Sequence, residues 1–219
     1  MTASTRIART PAPRFLSVRD LAQIAIFAAL IAALGLPGAL SIGAVAVPIT
    51  FQTLGVMLAG AILGARKGFF AVLLLLALAA AGLPLLSGGR GGIVWFTTSP
   101  AAGYLYGWLL GALVIGYLTG RLLPRYRLVP ALGATALGGV VVVYLIGVPV
   151  TAINLGLPIW VALVDAAKFL PGDLVKVVVT VLVARQVHRA YPGLIPTRRH
   201  TAAAAAPADA TAGAVPSAS

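Results

Sequence analysis

The chain has 219 residues, of which 60% are hydrophobic and 9% charged, with a mean hydropathy of +1.04; a water-soluble globule usually carries about 25% charged residues, so this one lacks the polar surface to coat itself. The formal charge of +12 would suit nucleic acid through counterion release, but the basic residues sit at the ends of apolar runs with no basic stripe among aromatics, which excludes that class. The absence of cysteine excludes disulfides, thiol nucleophiles and cysteine-held metals, and His188 and His200 have no metal-binding companions in the sequence.

About 20 apolar residues, at ~1.5 Å rise each, cross a bilayer. Apolar length between breakers predicts six transmembrane helices, at 19–36, 49–65, 68–86, 100–120, 128–148 and 171–190. The fold class is therefore an all-α integral membrane protein with long outer loops, its membrane domain covering 19–190. Residues 1–18 form a basic cytoplasmic N-terminus, and with no clear cleavage site following, the first apolar run is retained rather than removed as a signal. Within that run Ala25, Ala29 and Ala33 recur at every fourth position, with Ala28 and Ala32 beside them. Such spacing lets a helix approach closely in lipid, either inside the bundle or from a partner.

The first outer connection, GLPGALSIGAVAVP (35–48), leads into VPITFQT (47–53). There Thr50, Gln52 and Thr53 either tie off helix-end backbone groups or touch a ligand. GARKG (64–68) reads as a tight cytoplasmic turn. The second outer connection, SGGRGGIVWFTTSP (87–100), holds Arg90 between Gly89 and Gly91, residues that let backbone approach a ligand closely and adopt positive φ. Trp95 there and Tyr104 just beyond are each a pocket wall or an interfacial anchor. The last connection, 147–172, contains IWVALVDAAKFL, too short to span; it reads as an interfacial or re-entrant helix with Asp165 and Lys168 on one face. The tail, 191–219, turns Ala-rich and proline-broken, too poor in core-forming residues to fold, and reads as disordered and cytoplasmic.

Six spans put both termini on one side, together with every basic residue except Arg90, Lys168 and Lys176. Because cytoplasmic loops retain Lys and Arg, the chain is a multi-pass cell-membrane protein with its termini inside and those three cations toward the outer face. An ionisable group within a span costs roughly 2.5–3.5 kcal/mol on insertion scales and marks a pathway or a site by default. In KFLPGDLVKVVV (168–179), Asp173 follows Pro171 and Gly172, where an aspartate caps a helix start. Lys176 lies three residues on, on the same face, so the two either neutralise each other structurally or belong to a ligand site. With Arg90, they would give an outer pocket two cations and one anion among apolar and aromatic walls. That pocket suits a ligand with a carboxylate, an apolar middle and a neutral head bearing N–H and C=O groups. No phosphate-binding loop, HExxH, G-x-S-x-G or pair of intramembrane acids occurs, so the chain is read as no enzyme and any uphill transport needs ion coupling or a partner.

The segments VPITFQTLGVMLAGAILGARKG (47–68), AAAGLPLLSGGRGG (79–92), SPAAGYLYGWLLGALVIG (99–116) and KFLPGDLVK (168–176), in this order and spacing, resemble the BioY proteins. These are the biotin-specific S components of energy-coupling factor (ECF) transporters. The resemblance covers about residues 19–190. It implies an S-component-like bundle of six helices that captures biotin beneath outer loops and partners a transmembrane coupling protein and two cytoplasmic ATPases, with biotin as ligand and no cofactor. The family's substrate-binding Asp and Lys fall on Asp173 and Lys176, and its alanine-rich coupling face falls on Ala25, Ala29 and Ala33. The family pattern GPTGGY reads SPAAGY here, so alanines replace a threonine and a glycine. In this reading Asp173 accepts a ureido N–H, Lys176 donates to the ureido carbonyl and Arg90 lies nearer the carboxylate. Gly89, Gly91, Gln52, Trp95 and Tyr104 complete the candidate site. The alternatives are an S component for another vitamin, a secondary transporter using Asp173 and Lys176 as an ion relay, and a structural subunit without ligand.

Overall fold

The computed structural model describes residues 16–38, 47 and 49–195. Most of the basic N-terminal stretch, most of the first outer connection and the tail from 196 on lie outside the described residues. The described residues are helical apart from turns, loops and isolated bridge positions, among them the pair Leu86 and Arg90.

Helix α1, Val18–Ala33, opens on a capping box in which Ser17 accepts from the Asp20 amide and Asp20 accepts from the Ser17 amide. This satisfies two of the donors that a helix start leaves free. It buries Ile24, Ala28 and Ile31 against α2 (Gln52–Leu63) and α3 (Ala65–Ala80). These two helices are separated by Gly64 alone, which takes φ +83°. Only glycine adopts that conformation freely, so the turn expected over 64–68 shrinks to one residue and Arg66 and Lys67 lie inside α3.

After the loop 81–93 and a single turn, α4 (Val94–Thr97), α5 runs from Ala102 to Leu122. Helix α6 (Leu128–Ala136) passes through a π-helical turn, Leu137–Val142, into α7 (Val143–Leu155), making one continuous helix of 28 residues. The span expected to stop at 148 thus continues for seven residues, and Pro149 lies inside it. Thr151 anchors this extension by donating from its hydroxyl to the Pro100 carbonyl at 2.6 Å. Helix α8 (Ile159–Ala166) leads through a 3-10 turn, Ala167–Phe169, directly into α9 (Leu170–Ala190). As the sequence suggested, Asp165 and Lys168 share a face, and they form an ion pair at 2.7 Å.

Among the described residues two helices, Ala102–Leu122 and Leu128–Leu155, are long and apolar enough to cross a membrane by length and composition. The outward surface is apolar well beyond them: Ile26, Ile93, Leu163 and Val175 are all more than half exposed. In the interior, α5 lies against α2, α3 and α7, while α9 lies against α2 and α6. At one end Lys67 draws elements together, donating to Gln23 at 2.7 Å and to the Leu194 carbonyl at 3.2 Å and pairing with Asp20 at 3.3 Å. His188, in the same end of α9, is buried with Nε2 2.9 Å from the Ala61 carbonyl.

Candidate functional site

Lys176 and Asp173 sit in the first two turns of α9, one helical turn apart, and both are buried at 7% and 4% exposure. Burying an ion is costly unless its hydrogen-bonding capacity is met, and here the fold meets it. The Lys176 ammonium donates to Asp173 Oδ1 at 3.0 Å, the Thr50 carbonyl at 2.7 Å and Thr53 Oγ1 at 2.8 Å. Its three N–H groups are thereby used. The other oxygen of Asp173 accepts from the Tyr144 hydroxyl at 2.8 Å. The helix-cap reading of Asp173 is corrected: α9 has no side-chain cap, because the chain enters it from a 3-10 turn and leaves no isolated helix end.

Asp173, Lys176 and Tyr144 border a partly open cavity with about 670 Å³ of empty space, its mouth included. Helix α5 contributes Tyr104, Leu105 and Trp108 to the wall, α7 contributes Val143 with Tyr144, and Phe169 comes from the 3-10 turn. Tyr104 packs edge-on against Phe169, with centroids 5.7 Å apart, and against Tyr144 at 6.1 Å. Such T-shaped contacts suit the ring quadrupoles and fix the wall's shape. The site is therefore a mainly apolar, aromatic hollow with a neutralised ion pair at one side. It is equipped to hold an uncharged polar head with N–H donors.

Arg90 reaches this cavity from the loop 81–93. Leu86 and Arg90 exchange backbone hydrogen bonds at 2.9 and 3.0 Å, closing a three-residue loop in which Gly88 and Gly89 take φ +80° and +69°. The Arg90 guanidinium carbon lies 4.9 Å from the Trp95 ring centroid, within cation–π range, and Trp95 also borders the cavity. Gly89 and Gly91, expected from the sequence to approach a ligand, are not among the residues that line it. Gly89 serves the turn, while a Cβ on Gly91 would fall 2.3 Å from the Leu83 carbonyl oxygen.

Gln52 borders the cavity too, but its amide is committed to the fold. Nε2 donates to the Ile31 carbonyl at 3.2 Å and the Leu85 carbonyl at 2.9 Å, and Oε1 accepts from the Ser87 amide at 2.8 Å. One buried side chain thus ties α1, α2 and the Arg90 loop together. Ala25, Ala29 and Ala33 lie away from the site, on an exposed face of α1, while Ala28 is buried. The residues that sequence reasoning missed are Tyr144, Trp108 and Phe169. The segments VVVYLIG and YGWLLG carry no charge or spacing signal that separates a cavity wall from any other aromatic in an apolar helix, and the charge beside Phe169 in AAKFLPG, Lys168, pairs with Asp165.

The BioY family model matches residues 5–193. The chain is 48% identical over 188 residues to "Biotin transporter BioY" of Rhizobium etli, covering 84% of this chain and all of that one. It is 47% identical over 194 residues to "Biotin transporter BioY" of Rhodobacter capsulatus, covering 82% and 98%. Among solved structures it is similar to the crystal structure of the S component for biotin from an ECF-type ABC transporter. That match has a TM-score of 0.74 and 33% identity, over 78% of this chain and 92% of the other.

Proposed function

The chain belongs to the BioY family, and from that membership we propose that its cavity is the biotin site of the membrane-embedded S component of an ECF-type transporter. The protein takes part in biotin uptake. The observation that carries the assignment to this site is the buried Asp173–Lys176 pair on the wall of an otherwise apolar, aromatic cavity. A carboxylate facing that space offers lone pairs to a ureido N–H, the rings accept the apolar bicycle, and Arg90 offers charge to the valerate carboxylate.

In this reading six helical passages cross the cell membrane, with α6, the π turn and α7 forming one of them and α8 lying at the outer interface. The Lys67 end is cytoplasmic and the Arg90 end is outside. The relatives are transporters rather than enzymes, and the chain carries no phosphate-binding loop. Energy therefore comes from cytoplasmic ATPases through a coupling protein that docks on the exposed alanine face of α1.

The deciding experiment is equilibrium binding of biotin to the purified chain without partners, run beside a panel of other vitamins. Saturable binding of biotin alone supports the reading. Preference for another vitamin reassigns the substrate, and binding of none removes the site.

A further inference from the structure

At the Lys67 end of the bundle the arginines gather on one flank. Arg121 ends α5, Arg125 and Arg127 lie in the loop 123–127, and Arg185 and Arg189 stand in the last two turns of α9. The Tyr126 and His188 rings pack with centroids 5.6 Å apart, which brings the loop arginines on either side of Tyr126 to the part of α9 that carries Arg185 and Arg189. Arg185 is half-buried and the other four are exposed. Every lysine of the chain is spent on an aspartate: Lys67 on Asp20, Lys168 on Asp165 and Lys176 on Asp173. These are all the acids among the described residues, so the five guanidiniums form a concentrated positive charge with no carboxylate there to neutralise it. Retention of basic residues in the cytoplasm explains their side but not their gathering.

What adjoins the arginines narrows the partner. On α5, Tyr106, Leu110, Leu113 and Tyr117 are 39–52% exposed; their spacing of three and four makes one outward row along the helix. The row ends on Arg121, whose guanidinium carbon lies 4.2 Å from the Tyr117 ring centroid, within cation–π range. On α9, Leu174, Val178 and Leu182 are about half exposed, and the same spacing carries that row on to Arg185 and Arg189. Each apolar row thus terminates in arginine. An acidic soluble partner would match the charges but leave the rows uncovered, whereas a molecule with apolar chains and a phosphate head matches both. Guanidinium forks grip phosphate oxygens two at a time.

We propose that this arginine cluster seats the phosphate headgroup of an anionic phospholipid of the cytoplasmic leaflet, with the acyl chains lying along the outward rows of α5 and α9. The inference rests on the membrane orientation of the proposed reading and is independent of which ligand fills the cavity. Basic groups held near an anionic surface fix where a helix end sits in the leaflet, so the seat sets the depth and tilt of the end opposite the cavity.

The probes are phosphatidylglycerol and phosphatidylcholine with identical acyl chains, and inorganic phosphate. Lipid retained by the purified full chain is counted by native mass spectrometry, with the lipid-free melting temperature as the folding control. Phosphatidylglycerol is expected to bind at least about tenfold more tightly than phosphatidylcholine, and the preference is expected to weaken as salt rises. Arg125→Gln with Arg127→Gln, and separately Arg185→Gln with Arg189→Gln, are each expected to cut that preference about fivefold or more and to leave biotin binding at the parental value. Arg9→Gln with Arg14→Gln removes the same two charges from the N-terminal stretch and is expected to keep the preference. The two cluster pairs are read separately, so that if one variant fails to fold the other decides. Equal binding of the two lipids overturns the proposal, and so does an equal loss in the Arg9 and Arg14 variant, which reports net charge alone. A rise in melting temperature with inorganic phosphate as large as that with phosphatidylglycerol assigns the cluster to a free anion and overturns the lipid seat. Cluster variants that keep the lipid preference but no longer copurify with the coupling protein assign the surface to a protein partner and overturn it too. Absence of biotin binding with the lipid preference intact strikes the biotin reading alone.

Discussion

Asp173 and Lys176 each hold a charge in an apolar wall only because the other is there. Removing one partner of a buried pair leaves an uncompensated ion and typically costs about 3–5 kcal/mol. Lys176→Met is therefore expected to lower the melting temperature markedly, because Asp173 is left with the Tyr144 hydroxyl as its hydrogen-bond partner. Asp173→Asn is milder for the fold, since an amide oxygen still accepts from Lys176 or Tyr144. It exchanges a charge-assisted acceptor for a neutral one, and biotin affinity is expected to fall at least about tenfold in calorimetry; affinity equal to that of the parent would take Asp173 out of the site. Gln52→Leu tests a different role. With three elements untied and the Ser87 amide left without that acceptor, a loss of about 2–3 kcal/mol in stability is expected from denaturation. At this scale the sequence exposed Asp173 and Lys176, since charge in an apolar run is costly enough to need a reason. It did not expose Tyr144 or Trp108, because an aromatic in an apolar run is unremarkable until its polar atom has an address in space.

The helices owe their mutual distances to small residues. On α5, a Cβ added to Gly107 would fall 2.9 Å from Val143 Cα and 3.0 Å from its carbonyl oxygen, so α5 and α7 meet backbone to backbone there, beside the Trp108 and Tyr144 walls of the cavity. Gly107→Ala must push α7 away, and a destabilisation of about 1–3 kcal/mol is expected, with weaker biotin binding because both walls move. Gly133, in α6, has nothing within 4 Å of an added Cβ. Gly133→Ala is the matched control, expected to be neutral or to stabilise by up to about 1 kcal/mol, as thermal unfolding of the two variants will show. Element positions were largely legible in the sequence through apolar length, but their ends were not. Gly64 compresses a turn to one residue, the π turn carries α6 into α7, and a 3-10 turn joins α8 to α9. Each substitutes a local backbone geometry for a break that glycine or proline content alone suggests.

Across the whole molecule, ligand capture and partner docking occupy separate regions in the proposed reading: the cavity lies among α2, α5, α7 and α9, while Ala25, Ala29 and Ala33 face outward on α1. Ala29→Trp is therefore expected to leave biotin binding by the isolated chain intact and to reduce its copurification with the coupling protein; loss of both together would show that α1 shapes the cavity. The Lys67 junction, which links the start of α1 to α3 and to the Leu194 carbonyl, fixes how that face is presented. The amino-acid sequence by itself determined the solvent the chain folds in, its helical class, its family and the two ions of its site, because these follow from composition, apolar length and motif order along one dimension. Only the tertiary structure decided which groups satisfy the buried ion pair, which glycines take the left-handed turn conformation, and which aromatics enclose the hollow. Hydrogen-bond satisfaction and steric contact are relations between residues such as Lys176 and Thr50, distant in the chain, and they acquire values only when folding brings the partners together.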